Sequence, residues 1–183
     1  MSPSRSDVPA SPHDLASDHF DRLGLPRQFQ LDRDALESSY LDLSRQVHPD
    51  RFVGGSTAEQ REAMERSAAL NGAYQVLRDP VRRAEYLLSL RGVDLDAHDG
   101  APTMDQAFLM EMIERRERLE SSRGDPDALD RYLGEIEEET GAAFDDGIAC
   151  LEAGDTAGAA RNFVARRYLQ RLFDEVESAR DES

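Results

Sequence analysis

A proline at position 49, set between His48 and Asp50, constrains the fold of this chain more than any other residue. Upstream, Leu36, Tyr40, Leu43 and Val47 recur at spacings of four, three and four, which is one face of an amphipathic helix. Proline disfavours helical geometry in the residue before it, so this helix is predicted to end near His48. Downstream, Gly54-Gly55-Ser56 reads as a loop, and a second apolar-periodic segment runs from about Ala58 to Leu77. His48-Pro49-Asp50 therefore falls at the exposed tip of a helical hairpin. A helix stop and turn would account for the proline, but no core requirement accounts for a histidine and a carboxylate there.

The rest of the chain carries the same period. With 183 residues it suits one medium or two small domains and can bury a real core. Glycine and proline are not abundant and no alternating β-branched runs occur, so an all-α protein is expected. No stretch approaches the roughly 18 apolar residues of a membrane span. No secretory signal is visible, and the N-terminal segment has only Arg5 as a base beside Asp7 and Asp14, unlike a mitochondrial transit peptide. A cytoplasmic protein without a membrane partner is the expectation. The net charge of −16 argues against nucleic acid as a partner, because like charge repels phosphate. All 22 lysine-plus-arginine positions are arginine, which fits a salt-loving host or a GC-rich genome equally. Cys150, the single cysteine, excludes an intrachain disulfide and a cysteine-built metal site, and its neighbours Ile148 and Leu151 suggest a buried, inert thiol.

Taken in order, residues 1–16 are polar, serine- and proline-rich, and read as a disordered tail. Ser17 or Asp18 can cap a first helix through Leu23, with Gly24 as its stop. Asp32 is the predicted cap of the second helix. The third opens on a capping box, Ser56 with Glu59 or Thr57 with Gln60. Asp79 with Pro80 opens a fourth, whose Val81, Ala84, Leu87 and Leu88 face inward and which closes at Arg91-Gly92. These four helices make a first domain, 17–91. The Asp-rich segment 92–103 reads as a linker. Thr103 with Gln106 offers a capping box for a fifth helix running to about Arg123. Asp125-Pro126 begins a sixth with the stripe Leu129, Leu133, Ile136, Phe144 and Ile148, and Gly154-Asp155 leads into a seventh with Val164, Tyr168, Leu172 and Val176. Three amphipathic helices with short connections imply an antiparallel three-helix bundle over 104–179.

A helix ending in His48-Pro49-Asp50, a short loop, and a second helix reading Leu70-Asn71-Gly72-Ala73-Tyr74-Gln75-Val76-Leu77-Arg78-Asp79-Pro80 together resemble a J-domain. The resemblance implies that the tip contacts a DnaK-class chaperone ATPase and promotes its ATP hydrolysis. In that role Pro49 stiffens the tip, His48 offers a hydrogen-bonding ring, and Asp50 offers a carboxylate to a cationic partner. J-domains usually add a basic face on the second helix. Here Arg33 and Arg45, with Arg51 beyond the helix end, stand against Asp32, Asp34, Glu37 and Asp42. Arg45 and Arg51 flank the tip and are the expected partners of an acidic chaperone surface.

The fifth helix carries two apolar stripes. At about 100° per residue, Phe108, Met112 and Leu119 form one narrow stripe with Arg115 on it, suited to the bundle seam. Leu109, Met110 and Ile113 fall on roughly the opposite side, among Glu114 and Glu117. A bundle needs one apolar face per helix, so the second marks either a partner surface or packing on the first domain. The segment Ala107 to Leu119, preceded by Arg83-Ala84-Glu85-Tyr86-Leu87-Leu88, closely resembles HscB-type proteins, the J-domain co-chaperones of iron–sulfur cluster assembly. The resemblance spans about residues 18–176. It implies a scaffold-binding surface at Leu109, Met110, Ile113, Glu114 and Glu117, completed by Tyr168. Ser121 stands at a position where relatives can carry an acid, and the aromatic is Tyr168 rather than phenylalanine. The implied partners are an IscU-type scaffold and an HscA-type chaperone, with the cluster carried by the scaffold. No metal and no cofactor is implied for this chain. A J-protein serving a different client is the alternative.

Enzymatic chemistry is not expected. His13, His19, His48 and His98 are scattered, and His48 with Asp50 on an exposed turn lacks the pocket that tunes an acid–base pair. No glycine-rich phosphate loop is present.

Overall fold

The computed structural model describes residues 18–96 and 104–182. The predicted tail and most of the predicted linker, including His98 and Thr103, lie outside the described residues. Among the described residues are seven α-helices, one 3-10 turn and no strand: α1 (His19–Leu23), α2 (Arg33–Val47), the turn Pro49–Phe52, α3 (Thr57–Arg78), α4 (Pro80–Ser89), α5 (Gln106–Ser122), α6 (Pro126–Ala153) and α7 (Thr156–Asp181). The protein is all-α, as its sequence predicts. It divides into two compact units, with the division after Leu87.

The boundaries follow from local chemistry. Six of the seven helices begin at an aspartate whose carboxylate accepts from first-turn N–H groups: Asp18, Asp32, Asp79, Asp105, Asp125 and Asp155. Each satisfies a donor the helix cannot, and sets negative charge at the positive end of the helix dipole. For α5 this replaces the expected Thr103–Gln106 box: Asp105 accepts from the Phe108 N–H at 2.8 Å, and Gln106 is the first helical residue. α3 uses the first of its two possible boxes. The Ser56 hydroxyl accepts from the Glu59 N–H at 3.3 Å while the Glu59 carboxylate accepts from the Ser56 N–H at 2.7 Å. Those bonds hold the Glu59 carboxyl below its usual range. Gly24 and Gly154 end α1 and α6 in the left-handed conformation, at φ 65° and 83°, where a side chain would be strained.

In the first unit α1, α2 and α3 pack on one another. The buried apolar residues are Phe20, Leu23, Leu36, Val47, Ala63, Leu70, Ala73, Leu77, Ala84 and Leu87. In the second unit α5 runs antiparallel to α6, as the pairs Arg115–Glu139 and Arg118–Glu135 require, and parallel to α7, as Arg116–Glu175 and Arg123–Glu182 require. Its core joins Met112 and Leu119 of α5 to Leu129, Tyr132, Leu133 and Ile136 of α6 and to Leu169, Leu172, Val176 and Ala179 of α7. Full burial of a side chain such as Ile136 or Leu172 contributes about 1.5–3 kcal/mol. Tyr132 is buried with its hydroxyl donating to the Arg115 carbonyl at 2.9 Å, so its polar group is satisfied. Cys150 is half-buried rather than buried, and the Asn162 amide donates to its sulfur at 3.8 Å.

Candidate functional site

Two surfaces carry the residues singled out by sequence. The first is the hairpin tip. α2 stops at Val47 because His48, preceding proline, adopts φ −60° and ψ 127°. Pro49 then opens the tight turn to Phe52. Inside this turn the Asp50 N–H donates to His48 Nδ1 at 3.3 Å, and the Asp50 carboxylate lies 3.6 Å from the same nitrogen. An accepting Nδ1 places the proton of a neutral ring on Nε2, which is then the ring's donor. The His48 and Asp50 side chains are 54% and 86% exposed, so the pair is held in shape by the turn and open to a partner.

The flanking arginines are less free than their sequence positions imply. Arg51 folds back, and its guanidinium donates to the Arg45 carbonyl at 3.3 Å. A cation on one of the last carbonyls of α2 suits the negative end of that helix. Arg45 pairs with Asp42 at 3.2 Å, with both side chains well exposed, so this bond is weak and exchangeable. Sequence reasoning passed over Leu41, which is 43% exposed. It lies four residues before Arg45 and seven before His48, on the same face of α2.

The second surface is on α5. Met112 and Leu119 are buried in the seam, while Leu109, Met110 and Ile113 are 41%, 50% and 50% exposed. Glu114 and Glu117 are exposed beside them. Arg115, on the seam stripe, keeps its charge by reaching Glu111 and Glu139, both at 2.6 Å. Its burial opposes ionisation, yet hydrogen bonds to the two carboxylates raise its pKa overall. Arg116 makes a bidentate pair with Glu175 of α7, both bonds 3.1 Å, and Arg118 a bidentate pair with Glu135 of α6. These forks fix the rotation of α5 about its own axis.

That rotation decides what the exposed stripe borders. Leu109, Ile113 and Arg116 are spaced i, i+4 and i+7 and share one side of α5. Since Arg116 reaches α7, this side faces the α5–α7 groove. Across that groove stands Tyr168, half-buried, packed edge-on against Phe108 with ring centroids 5.6 Å apart. The Arg171 guanidinium lies 5.5 Å from the Tyr168 ring centre. Leu109, Ile113 and Tyr168 thus border one strip, with Met110, Glu114 and Glu117 on its outer side.

No group of His, Cys, Asp and Glu side chains is arranged to hold a metal ion among the described residues. No described helix is long and apolar enough to cross a membrane.

Comparison with known proteins covers both units. Residues 18–86 match the DnaJ domain family, and residues 104–177 match the HSCB C-terminal oligomerisation domain. A co-chaperone protein HscB homolog of Paraburkholderia phytofirmans is 41% identical over 164 residues, covering 88% of this chain and 93% of that protein. Its counterpart in Burkholderia mallei is 42% identical over the same shares. Among solved structures, chaperone HscB from Vibrio cholerae superposes with a TM-score of 0.73 at 34% identity, covering 91% of this chain and 99% of that one. The human co-chaperone protein HscB gives 0.76 at 26% identity, covering 97% and 93%.

Proposed function

This chain belongs to the HscB family of J-domain co-chaperones, and from that premise we propose that it delivers an IscU-type iron–sulfur scaffold protein to a DnaK-class, HscA-type chaperone in the cytoplasm and stimulates that chaperone's ATPase. Cluster transfer to acceptor proteins follows from the chaperone's cycle. The protein acts as a non-enzymatic adapter. The J-domain, 17–91, engages the chaperone, the segment 92–103 links it onward, and the bundle, 104–179, holds the client. The cluster is cargo on the scaffold.

His48, Pro49 and Asp50 form the chaperone contact, with Arg45 and Arg51 beside it. The Asp50 carboxylate accepts from a cationic group of the ATPase, and the Nε2–H of His48 donates. Arg45 exchanges Asp42 for an acidic group of the chaperone. Leu109, Met110, Ile113, Glu114, Glu117 and Tyr168 form the client contact. The observation that carries this reading is the exposure of Leu109, Met110 and Ile113 on a helix whose seam is already filled by Met112 and Leu119. Apolar residues in such a row, rimmed by charge, mark a protein-binding surface.

Calorimetric titration with the host's IscU-type scaffold, at the host's ionic strength, tests the reading. The wild type binds. Leu109→Ala with Ile113→Ala weakens binding at least about 30-fold, the loss expected when two central anchors are truncated. Helicity, and stimulation of the chaperone without scaffold, stay unchanged. Absence of binding by the wild type would leave a J-protein with a different client. ATP hydrolysis by the isolated protein above a His48→Gln control would contradict the adapter role.

A further inference from the structure

The cations around the α5 surface are distributed unevenly. Arg115, Arg116 and Arg118 are each matched to a carboxylate. Arg171 is exposed, and no ion pair among the described residues includes it. Its i+4 neighbour on α7 is Glu175, which would ordinarily answer it, but Glu175 is taken by the bidentate fork of Arg116. Arg171 instead lies against the Tyr168 ring. A guanidinium stacked there is pre-ordered and still has donors to offer.

On the far side of the apolar strip the sign reverses. Glu114 and Glu117 are exposed on α5, and no ion pair among the described residues includes either. The surface therefore runs from carboxylates through Met110, Ile113, Leu109 and Tyr168 to a guanidinium. In a chain of net charge −16, a cation that no ion pair among the described residues includes borders this apolar strip.

We infer that Arg171 is a specificity-determining residue of the client surface: it receives a carboxylate of the scaffold while Glu114 and Glu117 face the scaffold's cations, so the charge order across the strip fixes which way round the scaffold binds. This rests on the scaffold being the client. The apolar strip supplies affinity without direction, because hydrophobic contact is nondirectional. Charges at its two edges supply direction, because a reversed scaffold would set like charges together.

The test is calorimetry of the full chain with the IscU-type scaffold at two ionic strengths. Arg171→Glu is compared with Arg171→Lys and with Arg131→Glu, an equal change of net charge on α6. The expected result is binding at least about tenfold weaker for Arg171→Glu. Arg131→Glu stays within about threefold of wild type, since it lies outside the strip. Arg171→Lys falls between wild type and Arg171→Glu, since it keeps the charge but not the planar guanidinium over Tyr168. The penalty in Arg171→Glu shrinks at high salt, whereas a loss that came only from packing of the side chain would not. Equal effects of Arg171→Glu and Arg131→Glu, in a scaffold complex that still depends on Leu109 and Ile113, would overturn the inference alone. A wild type that does not bind the scaffold would overturn the proposed function and this inference with it.

Discussion

Tyr40 of α2 lies face to face with Tyr74 of α3, their ring centroids 4.1 Å apart and their planes 15° from parallel. Both hydroxyls are held: Tyr40 donates to the Asn71 side chain at 3.0 Å, and Tyr74 donates to the Glu37 carboxylate. That bond to a carboxylate favours the protonated phenol and raises the Tyr74 pKa. Arg78 covers the ring at 5.5 Å. The two arms of the hairpin are thus clipped together outside the buried core. A double-mutant cycle with Tyr40→Ala and Tyr74→Ala is expected to give a coupling of about 0.5–1.5 kcal/mol in urea unfolding. Strictly additive losses would mean that the stack contributes nothing to holding the arms.

Replacing Asp50 with asparagine removes a charge and keeps the shape of the turn. The Asp50 N–H still donates to His48, so the fold is expected to be intact. Stimulation of the chaperone ATPase is expected to fall to the unstimulated rate, while scaffold affinity stays within about twofold, since the tip and α5 belong to different units. Steady-state ATPase assays with wild type and Asp50→Asn check this, and retained stimulation would remove Asp50 from the docking contact.

Acid sensitivity of the first unit is expected to trace in part to His19. Its ring stacks on Tyr86 at 4.2 Å, and its Nδ1 is buried without a hydrogen-bond partner. Burial, then the nearby charge of Arg22, lower its pKa below the ordinary 6.5, with Asp18 opposing. The unfolded chain therefore binds this proton at higher pH than the folded chain. The resulting stability is present above pH 6.5 and is lost as pH falls towards the folded value. Thermal melts of wild type and His19→Phe between pH 5.5 and 7.5 are expected to differ, with the smaller pH response in the variant. Parallel profiles would show that His19 does not titrate with folding.

Two glycines of α6 should answer alanine in opposite senses. A Cβ at Gly147 would approach Phe163 Cε1 to 2.5 Å, whereas at Gly141 it meets nothing within 4 Å. Gly147→Ala is expected to destabilise by about 1–3 kcal/mol through overpacking. Gly141→Ala is expected to stabilise by about 0.5–1 kcal/mol, because alanine loses less entropy in a helix. Denaturant midpoints of the two variants, moving in opposite directions, check the packing at the α6–α7 end.

Most helices were legible because their starts are written in single residues, as at Asp32, Asp79 and Asp125. The α5 start was misplaced because Thr103 and Asp105 are both capable caps, and local sequence does not rank them. The α7 core was only half read. Residues four apart advance about 40° beyond a full turn at each step. The series Val164, Tyr168, Leu172, Val176 therefore walks across the helix surface. Only its last two members are buried, and Phe163 and Leu169 fill the core instead. The two faces of α5 were readable because helical period alone separates them. The folding back of Arg51 onto the Arg45 carbonyl was not, since it depends on the path of the turn after Pro49. The strip shared with Tyr168 needed the fork between Arg116 and Glu175, a contact between residues 59 apart.

The forks that orient α5 are built from guanidiniums, and the sequence contains no lysine at all. Amine-directed labels and crosslinkers therefore find no side-chain target on the hairpin tip, on α5 or on α7, and cannot scramble the ion pairs that set the client strip. The thiol of Cys150, in the last turn of α6, belongs to neither set of contact residues. A fluorophore attached there labels the chain while leaving every contact residue in its native chemical form.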